Sequence, residues 1–200
     1  IAAGPRGPYV YAENKWTSIS GYGTDPNANN SNYAVYVDDD GSIWVNGDAG
    51  IWRYHNGQWF EYRDIESKPV PWGEHFIRGP DGILRAPTSG GIYRLNSDQK
   101  WVLEWEADDS TVNSDPGDLI GRQYYVGGSK VCSIHVLASG QLVAVAEGGG
   151  LLINQGLTWL EHASFGDGRV YQDRFEHGFV ESPAGVYWLA TNKGLRRIQG

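Results

Sequence analysis

Three histidines, His75, His135 and His177, fall shortly before glycine-containing turns, where an imidazole could ligate a metal or carry a proton. They stand seven residues before Gly82, five before Gly140 and eight before Gly185. A metal needs ligands converging at fixed distance, and three different offsets do not make a matched ring. Glu74–His75 and Glu176–His177 offer acid and base side by side. Neighbours on a strand point to opposite faces, so neither pair is a preformed dyad. Asp38–Asp39–Asp40, and Asp108–Asp109 with Asp115, could supply oxygens to calcium, but a hard cation takes six to eight oxygens. DDDG reads more simply as a turn, and no metal or other cofactor is expected.

The aromatic residues suggest recognition instead. Trp72 lies in a Pro-bounded segment, VPWGEH, and Tyr124–Tyr125 follow Arg122 in a long polar stretch, 107–130. Aromatic faces stack on sugar rings, while carboxylates, imidazoles and guanidiniums bind hydroxyls. The expected ligand-binding residues are Trp72, Glu74, His75, Arg122, Tyr124, Tyr125, Asp173 and His177; no catalytic residue is assigned. The bland alternative is that these aromatics only cover strand edges.

These residues hang on a repeat. Val35–Trp59, Phe76–Trp101, Ile134–Trp159 and Phe179–Ile198 superimpose. Each opens with a short apolar strand and a turn glycine: Gly41, Gly82, Gly140, Gly185. A second apolar strand and a second glycine follow: Gly50, Gly91, Gly149, Gly194. That glycine opens a third strand, and Trp59, Trp101 and Trp159 mark a fourth. The N-terminus joins midway: IAAG aligns with WVNG, PYVY with IWRY, Trp16 with Trp59. Gly7 aligns with Gly50, and spacings of 43, 41, 58 and 45 along Gly7, Gly50, Gly91, Gly149 and Gly194 suit a four-stranded propeller blade. One blade cannot bury both its faces, so blades must stack. The tryptophans at the shared position are expected between blades.

The expected fold is all-β, a β-propeller of four-stranded antiparallel blades, about five in number, the first and last incomplete. Its repeats fall at about 1–20, 33–63, 74–106, 132–163 and 177–200 in a single domain. Composition agrees: 28 Gly, nine Trp and twelve Tyr favour short strands and tight turns. A net charge of −8 argues against nucleic acid as partner, which needs a basic face. No apolar run approaches the roughly 20 residues of a membrane span.

DDDGSIWVNGDAGIWRYHNGQWFEY and GVYWLATNKGLRRI resemble the two-component-regulator propeller repeat. GPDGILRAPTSGGIYRL matches it less closely. The resemblance implies an extracytoplasmic sensing or surface module, periplasmic, secreted or displayed. The function expected is non-enzymatic recognition of a glycan or protein on the loop face. Two alternatives stand beside it. One is a propeller lyase or glycoside hydrolase, whose paired carboxylates would come from Glu74, Asp173 or Glu176. The other is a structural docking part of a larger surface or virion assembly, joined through the incomplete end blades.

Overall fold

The computed structural model describes residues 1–4, 7–19, 21, 32–47, 50–62, 64–65, 68–69, 73, 75–88, 90–106, 131–146, 150–164, 178–191 and 194–199. Every regular element among them is a strand. Contacts divide the chain into two compact units, Ile1–Thr88 with Tyr93–Leu103, and Ser89–Ile92 with Glu104–Gly200.

The first sheet is a hairpin of β1 (Tyr9–Ala12) and β2 (Lys15–Ser18), extended by a bridge from Ala2 to Tyr9. The second is a four-stranded antiparallel meander of β3 (Asn32–Val37), β4 (Ile43–Gly47), β5 (Gly50–His55) and β6 (Gln58–Tyr62). A two-residue ribbon, β7 (Asp64–Ile65) with β8 (Lys68–Pro69), follows. The third meander contains β9 (Ile77–Arg78), β10 (Leu84–Thr88), β11 (Gly91–Leu95) and β12 (Trp101–Glu106). The fourth contains β13 (Val131–Val136), β14 (Leu142–Ala146), β15 (Gly150–Gln155) and β16 (Thr158–Ser164). The last has three strands, β17 (Phe179–Glu181), β18 (Val186–Thr191) and β19 (Gly194–Gln199). Each full sheet is one blade. The first and last are incomplete, as the repeat predicted.

Register confirms the alignment of the N-terminal repeat. Tyr11 pairs with Trp16 as Tyr54 pairs with Trp59 and Asn154 with Trp159. One landmark moves. Gly150, rather than Gly149, faces Ala146 as Gly50 faces Gly47. The fourth blade therefore has one extra residue between its second and third strands. Gly91 shows why this landmark is glycine. Its φ is +136°, and a Cβ there would lie 2.1 Å from the Trp105 carbonyl oxygen.

The second strands β4, β10 and β14 are buried at all five residues, the pattern of a strand covered on both faces. In the first unit, Trp44, Ile51, Phe76, Leu84, Tyr93 and Trp101 make the core between second and third blades. Trp44 meets Trp101 edge-on at 5.5 Å. Burying each such large side chain contributes roughly 2–3 kcal/mol. In the second unit, Val143, Val145 and Leu151 pack against Phe179, Tyr187 and Leu189. Trp101 and Trp159 are buried as expected. Trp16 is not: it is 56% exposed, its ring tilted against that of Tyr11 at 5.2 Å. No apolar surface covers it in this hairpin.

Polar staples bind neighbouring blades at their hairpin turns. Arg78, at the end of β9, donates from Nε and Nη2 to the Asp38 carboxylate in the second blade's turn. Arg53 donates to Asp40 at 2.8 Å, to Ser42 Oγ at 2.9 Å, and across to Gln99 Oε1 of the third blade at 2.9 Å. In the second unit, Glu181 accepts from the Ala138 amide of the fourth blade's turn and from Gly185 in its own. Where Trp44 fills the second blade, the third has Arg85, fully buried and held by two bonds to Asp81 at 2.7 and 3.0 Å.

Candidate functional site

The described polar groups with most recognition potential lie at the far ends of the second strands, away from the hairpin turns. Asn46, the fourth residue of β4, is fully buried. Its Oδ1 accepts from the Gly73 amide at 3.3 Å. Its Nδ2 has no acceptor among the described residues. An unsatisfied buried donor costs about 1–3 kcal/mol, so an arriving acceptor at this position would gain that amount.

Gly73 is wedged there. A Cβ on it would lie 2.4 Å from the Pro87 carbonyl oxygen and 2.6 Å from Asn46 Nδ2. Only glycine lets this loop lie against the ends of both β4 and β10. Thr88, the last residue of β10, is fully buried beside Pro87 in the chain. His75 follows two residues after Gly73 and is half-buried, with its Nδ1 out of contact with water. Phe76 next to it is locked in the core by Trp101 at 6.0 Å and Tyr36 at 6.5 Å. The loop is thus fixed on one side by Gly73 and on the other by Phe76, with His75 between.

Of the ligand-binding residues predicted from sequence, His75 is placed at this junction. Trp72, Glu74, Arg122, Tyr124, Tyr125, Asp173 and His177 lie outside the described residues. Asn46 and Gly73 were not singled out from sequence. A glycine flanked by Trp72 and Glu74 was the available signal for one, and nothing marked the other.

The remaining chemical candidates have structural roles. His135 donates or accepts at Ser133 Oγ, 2.8 Å from Nε2, and its ring lies 4.8 Å from Phe179. Asp38 and Asp40 are occupied by arginines and turn amides, as DDDG predicted. The Ser42 hydrogen bonds, together with Arg53, hold the Asp40 carboxyl below its usual range. Burial opposes the Arg78 charge, yet the Asp38 carboxylate outweighs it and raises the Arg78 pKa. Among the described residues, no three His, Cys, Asp or Glu side chains gather to hold a metal. No described helix is long and apolar enough to cross a membrane.

No protein-family profile matches the sequence. No curated protein matches it. Solved structures do. The extracellular domain of the hybrid two component system BT4673 from B. thetaiotaomicron matches with TM-score 0.61 at 16% identity, covering 98% of this chain and 25% of that one. The extracellular domain of the hybrid two component system BT3049 from the same organism matches with TM-score 0.62 at 18% identity, covering 97% and 24%. The fold is that of a β-propeller. Virginiamycin B lyase from Staphylococcus aureus shares the propeller likeness at TM-score 0.52 and 13% identity, over 84% of this chain and 55% of that one. This propeller chain therefore spans about a quarter of the two extracellular domains and about half of the lyase. At such identities the likeness concerns fold, and function must come from the site.

Proposed function

We propose that this propeller is a non-enzymatic recognition module working outside the cytoplasm, with its ligand held at the loop face around Gly73. The observation that carries the reading is the Asn46–Gly73 junction. It combines a rigid anchor, a buried amide donor without acceptor among the described residues, and His75 beside it. Rigid backbone with a few placed polar groups is how concave sites select a ligand. Trp72 and Glu74 flank Gly73 in the chain and would add a stacking face and a carboxylate. That combination favours a glycan. The likeness to extracellular domains of two component systems supports the extracytoplasmic location and a sensing role.

A glycan array with the wild-type protein, Trp72→Ala and His75→Ala tests this reading. One glycan class should bind, and Trp72→Ala should lose it without a change in Tm. Absence of glycan binding, with capture of a protein ligand that Trp72→Ala abolishes, would keep the recognition role and remove the sugar. Turnover of a bound glycan that Glu74→Gln abolishes would replace the module with an enzyme.

A further inference from the structure

We propose that Asn56 is a self-modification site, whose side-chain amide is lost as ammonia through attack by the Gly57 backbone nitrogen, with His55 protonating the leaving nitrogen. The inference is independent of the loop-face reading, since it concerns the hairpin tip at the other end of β5.

Asn-Gly occurs twice in the chain, at Asn46–Gly47 and Asn56–Gly57. Glycine after asparagine leaves the backbone nitrogen unshielded, so it can reach the side-chain carbonyl carbon and close a cyclic imide. The two dipeptides meet opposite surroundings. Asn46 is fully buried in β4, and its Oδ1 is held by the Gly73 amide. Gly47 pairs with Asn32 on one side and Gly50 on the other. Attack there would require the strand to leave the sheet. Asn56 and Gly57 are exposed and form the whole of the β5–β6 turn, because His55 pairs with Gln58. Both have positive φ, +50° and +81°, as a two-residue hairpin turn demands. A Cβ on Gly57 would meet nothing within 4 Å, so the tip has room to rotate.

The ring beside it sets this tip apart. His55 Nε2 stands 3.0 Å from Asn56 Nδ2, within reach for proton transfer. The ring is fixed through its other nitrogen. Ser42 Oγ lies 2.9 Å from Nδ1 and is itself held by Arg53 Nε at 2.9 Å. The Asp40 carboxylate lies 3.9 Å from Nδ1, within ion-pair reach of the charged ring. Arg53, the like charge nearby, is paired with Asp40 at 2.8 Å. Matching tips differ: Glu13–Asn14 follows Ala12, and Gly156–Leu157 follows Gln155. His-Asn-Gly belongs to the second blade alone.

Solvent hydroxide takes the Gly57 amide proton, and the nitrogen bonds to Asn56 Cγ. The Cγ–Nδ2 bond breaks as the imidazolium gives its Nε2 proton to Nδ2, and ammonia leaves. Solvent water returns a proton to the ring and so regenerates hydroxide. Water then opens the imide at either carbonyl, giving aspartate or its β-linked isomer. Water is consumed and ammonia released in equal amounts. The β-linked isomer lengthens the main chain by a methylene, more than a two-residue turn holds, and so loosens the β5–β6 hairpin.

The test holds the whole chain in neutral buffer for days and follows both Asn-Gly dipeptides by peptide mass, reading the gain from amide to acid. Asn56 should convert while Asn46 stays intact. In urea both should convert at similar rates. His55→Gln and His55→Phe should each slow Asn56 in the folded chain by roughly tenfold or more, and should change nothing in urea. Asn46 doubles as a reporter of folding, since its conversion marks any molecule that has opened. No conversion of Asn56, equal conversion of the two asparagines in the folded chain, or a rate at Asn56 as fast in either His55 variant as in wild type would overturn the proposal.

Discussion

Arg78 and Glu181 stand four residues before the turn glycine of their repeats and carry opposite charges, yet each grips the turn of the preceding blade. The backbone frame is shared; the chemistry is inverted to suit what the facing turn offers. Arg78 faces a carboxylate, Asp38, whereas Glu181 faces the Ala138 amide. A double-mutant cycle on Arg78→Met and Asp38→Asn should give a coupling of about 1–3 kcal/mol, because this bidentate pair is charge-assisted and Asp38 is largely buried. Urea unfolding measures it. Coupling near zero would mean the staple holds nothing.

Arg85 should respond asymmetrically. Its guanidinium is fully buried, whereas the Asp81 side chain is 38% exposed. Asp81→Asn leaves a buried charge without its carboxylate and should cost about 3 kcal/mol, the low end for a broken buried pair. Arg85→Met with Asp81→Asn should recover much of that loss, since the Trp44 of the preceding blade fills the same position with apolar volume. The midpoint of urea unfolding discriminates the two.

Acid should loosen the molecule through three carboxylates. Asp40 is lowered by Ser42 and Arg53, and Glu181 by the Ala138 and Gly185 amides. Asp81 is opposed by burial but lowered overall by Arg85 and the Ile83 amide. Each folded pKa lies below its unfolded value, so the unfolded chain takes up protons first as pH falls. Their stabilisation is complete above about pH 5 and is lost on descent through the ordinary values and below. Tm should therefore hold from pH 7 to 5 and fall toward pH 3. The Asp40→Asn variant should show a shallower fall than wild type.

Gly73→Ala should separate site from scaffold. Its Cβ meets a backbone carbonyl that cannot step aside, so the loop must move. Ligand capture should drop at least tenfold while circular dichroism stays that of the wild type. Retained affinity would show that the Asn46 junction does not form the site. Trp16→Ser, on an exposed side chain, should change Tm little, whereas Trp101→Ala should cost about 3–5 kcal/mol.

Periodicity made the blades legible, because hairpin glycines and alternating strands obey local rules. Even the N-terminal alignment survived to the level of Tyr11 opposite Trp16. The slip from Gly149 to Gly150 came where Gly148, Gly149 and Gly150 stand together and one-residue shifts cannot be told apart. Trp16 is exposed although its repeat position predicts burial, because position in a repeat does not say whether anything packs on it. Arg78 and Asp38 lie 40 residues apart and meet only through blade stacking. In the site, Trp72 and His75 drew notice by type, but the role of Asn46 depends on a loop 27 residues away.

β14 reads Leu-Val-Ala-Val-Ala and has no water-facing side. A pentapeptide of high strand propensity, low charge and no proline is also a nucleus for intermolecular pairing once freed. Its safety rests on the packing that covers it rather than on its own residues. Heating should accordingly end in precipitation more readily than in reversible melting. The solubility limit of this molecule is thereby set by how long its blades stay docked.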